Sequence, residues 1–239
     1  MESFYPRAGT DLSGTELVIF DWDGTLVDSR HVIVETMQAA LSEAGFDPLP
    51  GEACQQVIGL GLDEAIRALV PEAGESDREQ LRAVYGRRFQ SFGAADMPFF
   101  PGVSEGLDYL RDEGHHLAVA TGKSRRGLDR LIAERGMHGA FHATRCADET
   151  ASKPDPRMLR ELLADFGLSP QQAVFVGDTG FDMEMARRLD MPRIAVTYGV
   201  HGDNRLATGE PTAWAGDFWE VMDHLGVTAL EGSSVKGYT

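Results

Sequence analysis

Apolar residues gather along this chain in short runs that stop abruptly at glycine or at a charge. Leu17-Val18-Ile19-Phe20 runs into Asp21-Trp22-Asp23-Gly24-Thr25, and Leu117-Ala118-Val119-Ala120 into Thr121-Gly122. Ala173-Val174-Phe175-Val176 ends at Gly177-Asp178, and Arg193-Ile194-Ala195-Val196-Thr197 at Tyr198-Gly199. Apolar runs this short, bounded by turn residues, predict strands buried on both faces, as in a parallel sheet. Phe141 to Thr144 predicts a fifth. Helical spacing fills the gaps: Val103, Leu107 and Leu110 within Val103–Arg111; Leu128, Leu131 and Ile132 within Gly127–Glu134; Met158 to Phe166 within Pro156–Phe166, with Gly167 as C-terminal cap. Strand and helix alternating from about Gly102 onward predict an α/β fold, a doubly wound parallel sheet with a Rossmann-like core.

One stretch breaks the alternation. From His31 to Met97 the pattern is almost wholly helical, over Val32–Ala44, Leu62–Val70 and Asp77–Phe92, with turns at Gly45-Phe46-Asp47-Pro48, Gly59-Leu60-Gly61 and Pro71 to Gly74. It predicts a small α-helical domain inserted directly after the first strand. The chain then divides into a loose leader (1–15), an α/β core (16–30 and 98–228), the helical insert (31–97) and a polar tail expected to be disordered (229–239).

Composition narrows the function. Of 239 residues, 38 are acidic and 22 basic, a formal net charge of −16. That balance argues against a surface that grips nucleic acid or anionic lipid. It does not argue against an anionic small substrate, because local groups and a bound cation set the field in a pocket. No apolar run approaches the ~20 residues of a membrane span, and the N-terminus lacks the pattern of a secretory signal. Cys54 and Cys146 stand far apart, which suggests reduced thiols and a cytoplasmic protein. Monomer and homodimer are both compatible with the sequence.

The chemistry lies where strands end, since ligands of open α/β sheets bind outside the carboxyl ends of the strands. Asp21 and Asp23 are two apart and share a face if the strand persists. Asp178 follows another strand, with Asp182 about one helical turn on. Carboxylates converging on one crevice repel unless a hard divalent cation such as Mg²⁺ sits among them. Thr121, the Gly122 amide and Lys153 add a hydroxyl, a backbone donor and a positive charge, the groups that bind a phosphoryl oxygen. Each fragment alone is an ordinary turn; their joint occurrence at successive strand ends carries the reading.

These residues resemble the haloacid dehalogenase-like hydrolase superfamily. Phe20-Asp21-Trp22-Asp23-Gly24-Thr25-Leu26-Val27-Asp28-Ser29 looks like its first motif, Ala120-Thr121-Gly122-Lys123 its second, Lys153-Pro154 its third, and Gly177-Asp178-Thr179-Gly180-Phe181-Asp182-Met183 its fourth. The helical insert matches the position of the smaller cap type, and the wording is most similar to phosphoglycolate phosphatase-like enzymes. The resemblance implies an Mg²⁺-dependent phosphatase in which Asp21 attacks phosphorus and forms an aspartyl-phosphate. Asp23 would serve as acid and then base. Asp21, the Asp23 backbone carbonyl and Asp178 would hold the metal. Thr121, Gly122 and Lys153 would bind the phosphoryl oxygens, and Asp182 would orient Lys153 or a water on the metal.

The acid at Asp23 separates this chain from dehalogenases and from phosphonate-cleaving relatives. The insert also contains no lysine for a Schiff base. The expected substrate is a small phosphorylated metabolite, phosphoglycolate being the first guess. A phosphosugar mutase of the same superfamily and a non-catalytic phosphoacceptor switch are the alternatives. Trp22 is expected to pack against helices. The segment Ile58 to Glu64 looks like the cap loop that approaches the active site, or else is a plain inter-helix turn. His115-His116 is expected only to open a strand.

Overall fold

The computed structural model describes residues 12–227. Six parallel strands lie in the order β3-β2-β1-β4-β5-β6: β1 (Leu17–Phe20), β2 (His116–Thr121), β3 (Ala143–Cys146), β4 (Ala173–Gly177), β5 (Arg193–Val196) and β6 (Ala213–Ala215). This is the doubly wound order, in which the chain works outward from β1 on one side and then returns to build the other. The reversal falls between β1 and β4, paired from Leu17↔Ala173 to Phe20↔Val176, so Asp21 and Asp178 emerge side by side at the switch point.

Strand alternation divides the core into two layers. Val18 and Phe20 face α5 (Val103–Asp112), α6 (Arg125–Glu134) and α10 (Phe218–His224). Leu17 and Ile19 face α7 (Arg157–Phe166) and α8 (Gly180–Arg187). Every residue of β1 and β4 is buried, which accounts for their unbroken apolar runs. A short α9 (Asp203–Ala207) links β5 to β6.

Between β1 and α5 the chain forms α1 (Arg30–Glu43), α2 (Gly51–Gln55), α3 (Leu62–Leu69) and α4 (Glu75–Phe89). These helices have their own apolar cluster around Met37, Leu41, Cys54, Ile66, Leu81 and Val84. The chain's departure and return are stitched together. Val27 forms an antiparallel bridge with Phe99, the Asp28 amide donates to the Pro98 carbonyl at 2.8 Å, and the Phe100 amide to the Leu26 carbonyl at 3.1 Å.

Several expectations are sharpened. The fifth strand is displaced to Ala143–Cys146, and β6, α2, α9 and α10 are additional elements. Of the leader, residues 1–11 lie outside the described residues, as does the tail expected over 229–239. Leu12 is not loose: its side chain is buried and its amide donates to the His224 carbonyl at 3.1 Å. Trp22 is fully buried, edge-on to Phe99 and Phe141, on the helix-packed side as strand alternation expects. No helix among the described residues is long and apolar enough to cross a membrane.

Candidate active site

Each site residue is delivered by a local device the sequence encodes. β1 ends at Phe20, and Gly24 (φ 80°) turns the chain so that its amide donates to the Val27 carbonyl at 2.9 Å. A side chain at Gly24 would drive a Cβ into the Asp178 carboxylate, so only glycine lets the two loops meet. After β4, Thr179 caps α8. Its hydroxyl accepts from the Asp182 amide at 3.2 Å, and the Asp182 carboxylate accepts from the Thr179 amide at 2.9 Å. The capping box thus fixes Asp182 before any chemistry is asked of it.

Three carboxylates converge. Ligand oxygens of Asp21, Asp178 and Asp182, all buried, lie within 4.8 Å of one another. Lys153 enters with its ammonium 2.7 Å from Asp21 Oδ1 and 2.7 Å from Asp182 Oδ1, and it too is wholly buried. Asp178 accepts from the Thr25 hydroxyl at 2.8 Å and from the Val200 amide at 2.8 Å. Asp21 Oδ1 also accepts from the Trp22 amide at 2.6 Å, while Asp21 Oδ2 is buried without a partner.

The Asp23 carboxylate does not join this group. The turn at Gly24 sends it elsewhere: Oδ1 accepts from the Ser29 hydroxyl at 2.6 Å and pairs with the Lys123 ammonium at 3.0 Å. The shared face expected for Asp21 and Asp23 required a strand that continued, and it stops first. Asp21, Asp23, Gly122 and Lys123 nevertheless all line one cavity of about 480 Å³ between the sheet and the insert. Thr121 is buried at the end of β2, its hydroxyl accepting from the Lys123 amide at 3.2 Å.

The insert reaches the same point. Gly59 and Leu60 line the cavity, and the Gly61 amide donates to Ser152 Oγ at 2.8 Å. A Cβ on Gly122 would collide with the Gly59 and Leu60 carbonyls, so glycine on the core side permits this approach as well. The segment Ile58 to Glu64 is therefore more than an inter-helix turn.

Charge is out of balance in this pocket. Burial pushes the Asp21 carboxyl well above the usual carboxylate range; Lys153 opposes that shift, while Asp182 and Asp178 add to it. Burial and then Asp182 raise Asp178 to about 7. Burial alone would lower the Lys153 ammonium, but Asp182 and Asp21 overcome it and hold the group above its ordinary value. Three buried acids against one lysine, with one carboxylate oxygen unpartnered, fit a site that takes up a further cation. Oxygen ligands of this kind suit a hard divalent ion such as Mg²⁺.

Sequence reasoning missed Lys123 and Ser29 as site residues, although both lie inside the quoted motifs. It also missed His201, which is buried, accepts from the Gly180 amide at 3.0 Å through Nδ1, and is lowered to about 4 by burial and then by Arg205, with Asp182 opposing. An imidazole depressed in the fold takes up a proton more readily when unfolded. Its contribution is complete above pH 6.5 and is lost as pH falls through about 4. Between pH 8 and pH 5, wild type should lose about 2 kcal/mol more unfolding free energy than His201→Asn. Parallel denaturant-derived pH curves for the two proteins would show that the imidazole titrates normally.

Comparison with known proteins follows the same lines. A family model described as haloacid dehalogenase-like hydrolase matches residues 18–196. A Dickeya dadantii protein named "Probable phosphatase IndB" is 35% identical over 212 residues, covering 86% of this chain and 91% of its own. An Agrobacterium fabrum protein named phosphoglycolate phosphatase is 32% identical over 208 residues, covering 84% and 88%. Among solved structures, a "predicted phosphoglycolate phosphatase" from Haemophilus somnus superposes with a TM-score of 0.81 at 24% identity, over 89% of this chain and 98% of that one. At that identity the superposition speaks for the fold.

Proposed function

This chain belongs to the haloacid dehalogenase-like hydrolase family and is one of its phosphatases, and from that premise we propose that it hydrolyses a small phosphomonoester through an aspartyl-phosphate on Asp21 with Mg²⁺ as cofactor. The observation that carries the reading is Asp21 itself, a buried carboxylate lining the cavity with Oδ2 unpartnered and a lysine on Oδ1.

In this reading Asp21 Oδ2 forms a bond to phosphorus as the ester P–O bond breaks. Asp23 gives its proton to the departing alcohol oxygen, then takes one from the water that cleaves the acyl phosphate, so inorganic phosphate leaves and both carboxyls are restored. Lys123 and Ser29 position Asp23 by holding its Oδ1. Thr121, the Gly122 amide and Lys153 bind the equatorial oxygens, and Asp182 keeps Lys153 aimed at Asp21. Asp21, Asp178 and the backbone carbonyl of Asp23 would hold Mg²⁺, which supplies the positive charge that lets an anionic carboxylate approach an anionic phosphate. The insert acts as a cap that excludes water. Cys54 and Cys146, both buried free thiols, suit a cytoplasmic setting.

The test is release of inorganic phosphate from a panel of small phosphomonoesters that includes phosphoglycolate, with Mg²⁺ and with chelator. Turnover that stops with chelator and returns with added Mg²⁺ is expected. Isomerised sugar phosphate in the presence of activating bisphosphate would instead indicate a mutase, and a single phosphorylation without turnover a switch.

A further inference from the structure

The cavity over Asp21 and Asp23 has two unlike walls. The core wall carries the charged groups. The wall built by the insert is largely apolar and aromatic, formed by Ile33 and Met37 of α1, Ile58 and Leu62, and Tyr85 and Phe89 of α4, with Gln90 as a polar member. Tyr85 and Phe89 lie near-parallel, with ring centroids 5.7 Å apart and planes 16° off, and Lys123 sits 4.5 Å over the Phe89 ring.

Gly86 lies between these rings along α4 and also lines the cavity, and a Cβ there would meet nothing within 4 Å. Glycine is the poorest helix former after proline, and packing does not demand it at this position. Its effect is to leave a bay beside the aromatic pair.

The cations of the insert are turned away from this space. Arg82 pairs with Asp63, Arg87 and Arg88 pair with Glu43, Arg67 lies 3.9 Å from Glu64, and Arg78 donates to the Pro71 carbonyl. None of them lines the cavity. On the core side Lys123 is taken by Asp23 and Arg130 is tied through Nη1 to the Phe92 carbonyl and Glu134, while its Nη2 is buried without a partner and Arg126 lines the cavity with its side chain exposed. On the insert side a second anionic group on the substrate would face a wall that offers no cation. A two-carbon acid would also leave much of the roughly 480 Å³ as water trapped against hydrocarbon.

Resting on the phosphatase reading, we infer that the alcohol portion of the substrate is apolar and carries a ring, seated in the Gly86 bay against Tyr85 and Phe89. The ring gains by leaving water and by stacking on the aromatic pair. The phosphate remains at Asp21. Selectivity is thus set by the insert and chemistry by the core.

The test compares phosphoglycolate, ethyl phosphate and 2-phenylethyl phosphate, whose leaving groups are all unactivated alcohols. In wild type, kcat/KM for 2-phenylethyl phosphate should exceed those for the other two by at least about tenfold. Gly86→Leu, which fills the bay with a better helix former, should cut the 2-phenylethyl to ethyl ratio at least about tenfold. Phe89→Ala should lower the same ratio by a second route. Equal rates for the phenyl and ethyl esters, a preference for phosphoglycolate, or a ratio untouched by Gly86→Leu in folded protein would overturn the inference. Each of those results leaves the phosphatase reading standing. Absence of phosphate release from all three esters and from a generic aryl phosphate would overturn both.

Discussion

Asp21→Asn should abolish turnover and leave the fold intact. The substitution keeps shape and removes the nucleophilic charge, so kcat should fall by about 10⁴ or more, the scale seen when a covalent nucleophile is removed. Stability should move little, and metal-free protein should not be weakened. Asp21 is one of three mutually repelling buried carboxylates, its own carboxyl is held well above the usual range, and Lys153 keeps Asp182 as partner. Phosphate release and thermal melting, measured on the same preparation, check both halves. Turnover within tenfold of wild type would identify another nucleophile.

Lys153→Met should damage both stability and rate. Methionine fills a comparable volume but leaves Asp21 and Asp182 buried without their shared cation. Breaking a buried ion pair from one side costs about 3–5 kcal/mol. The cost depends on pH in a definite direction. Without the lysine the Asp21 carboxyl is pushed up further and takes up a proton in the fold, so the deficit is small in acid and grows as pH rises. Added Mg²⁺ should recover part of it by binding only the folded state. The rate should drop by about 10³ with the loss of charge on the transferring group. Denaturant unfolding of both proteins at pH 5 and pH 8, with and without Mg²⁺, would reveal this pattern. A deficit that shrinks at alkaline pH would show that Lys153 does not neutralise Asp21.

How much of this was legible in the chain depends on the range of the interaction that creates it. Asp21, Asp178 and Lys153 could be found because each punctuates a buried strand or its loop, and a charge after an apolar run stands out locally. Asp182 was readable through its spacing from Asp178, and its capping of α8 is likewise a local event. Ser29 lies only six residues from Asp23, but its role depends on the turn at Gly24 that carries Asp23 back to it; Lys123 and His201 were harder, because their roles arise only when distant loops meet. The Lys123 ammonium matters through Asp23, a hundred residues away in sequence. Strand β6 was missed for a different reason: Ala213-Trp214-Ala215 is too short to show alternation, and it is specified by pairing with Ile194 to Val196. Tyr85 and Phe89 read as ordinary helix residues, and only the closure of the insert over the sheet makes them a wall.

The stitched departure and return of the insert also bear on how such a protein can change. Val27 and Phe99 are bridged, so the helical block hangs from two adjacent points on a backbone that hydrogen-bonds to itself beneath it. Closing such a gap with a shorter or longer segment adds little loop entropy, because closure cost grows only slowly with length. Nor would a new segment need to shift the register of β1 against β2 or β4, since that ladder ends at Phe20, before the junction. The helical block is, in effect, an exchangeable fitting on a fixed socket. Lineages could refit it for new leaving groups while Asp21, Asp178 and Lys153 stay where the sheet places them.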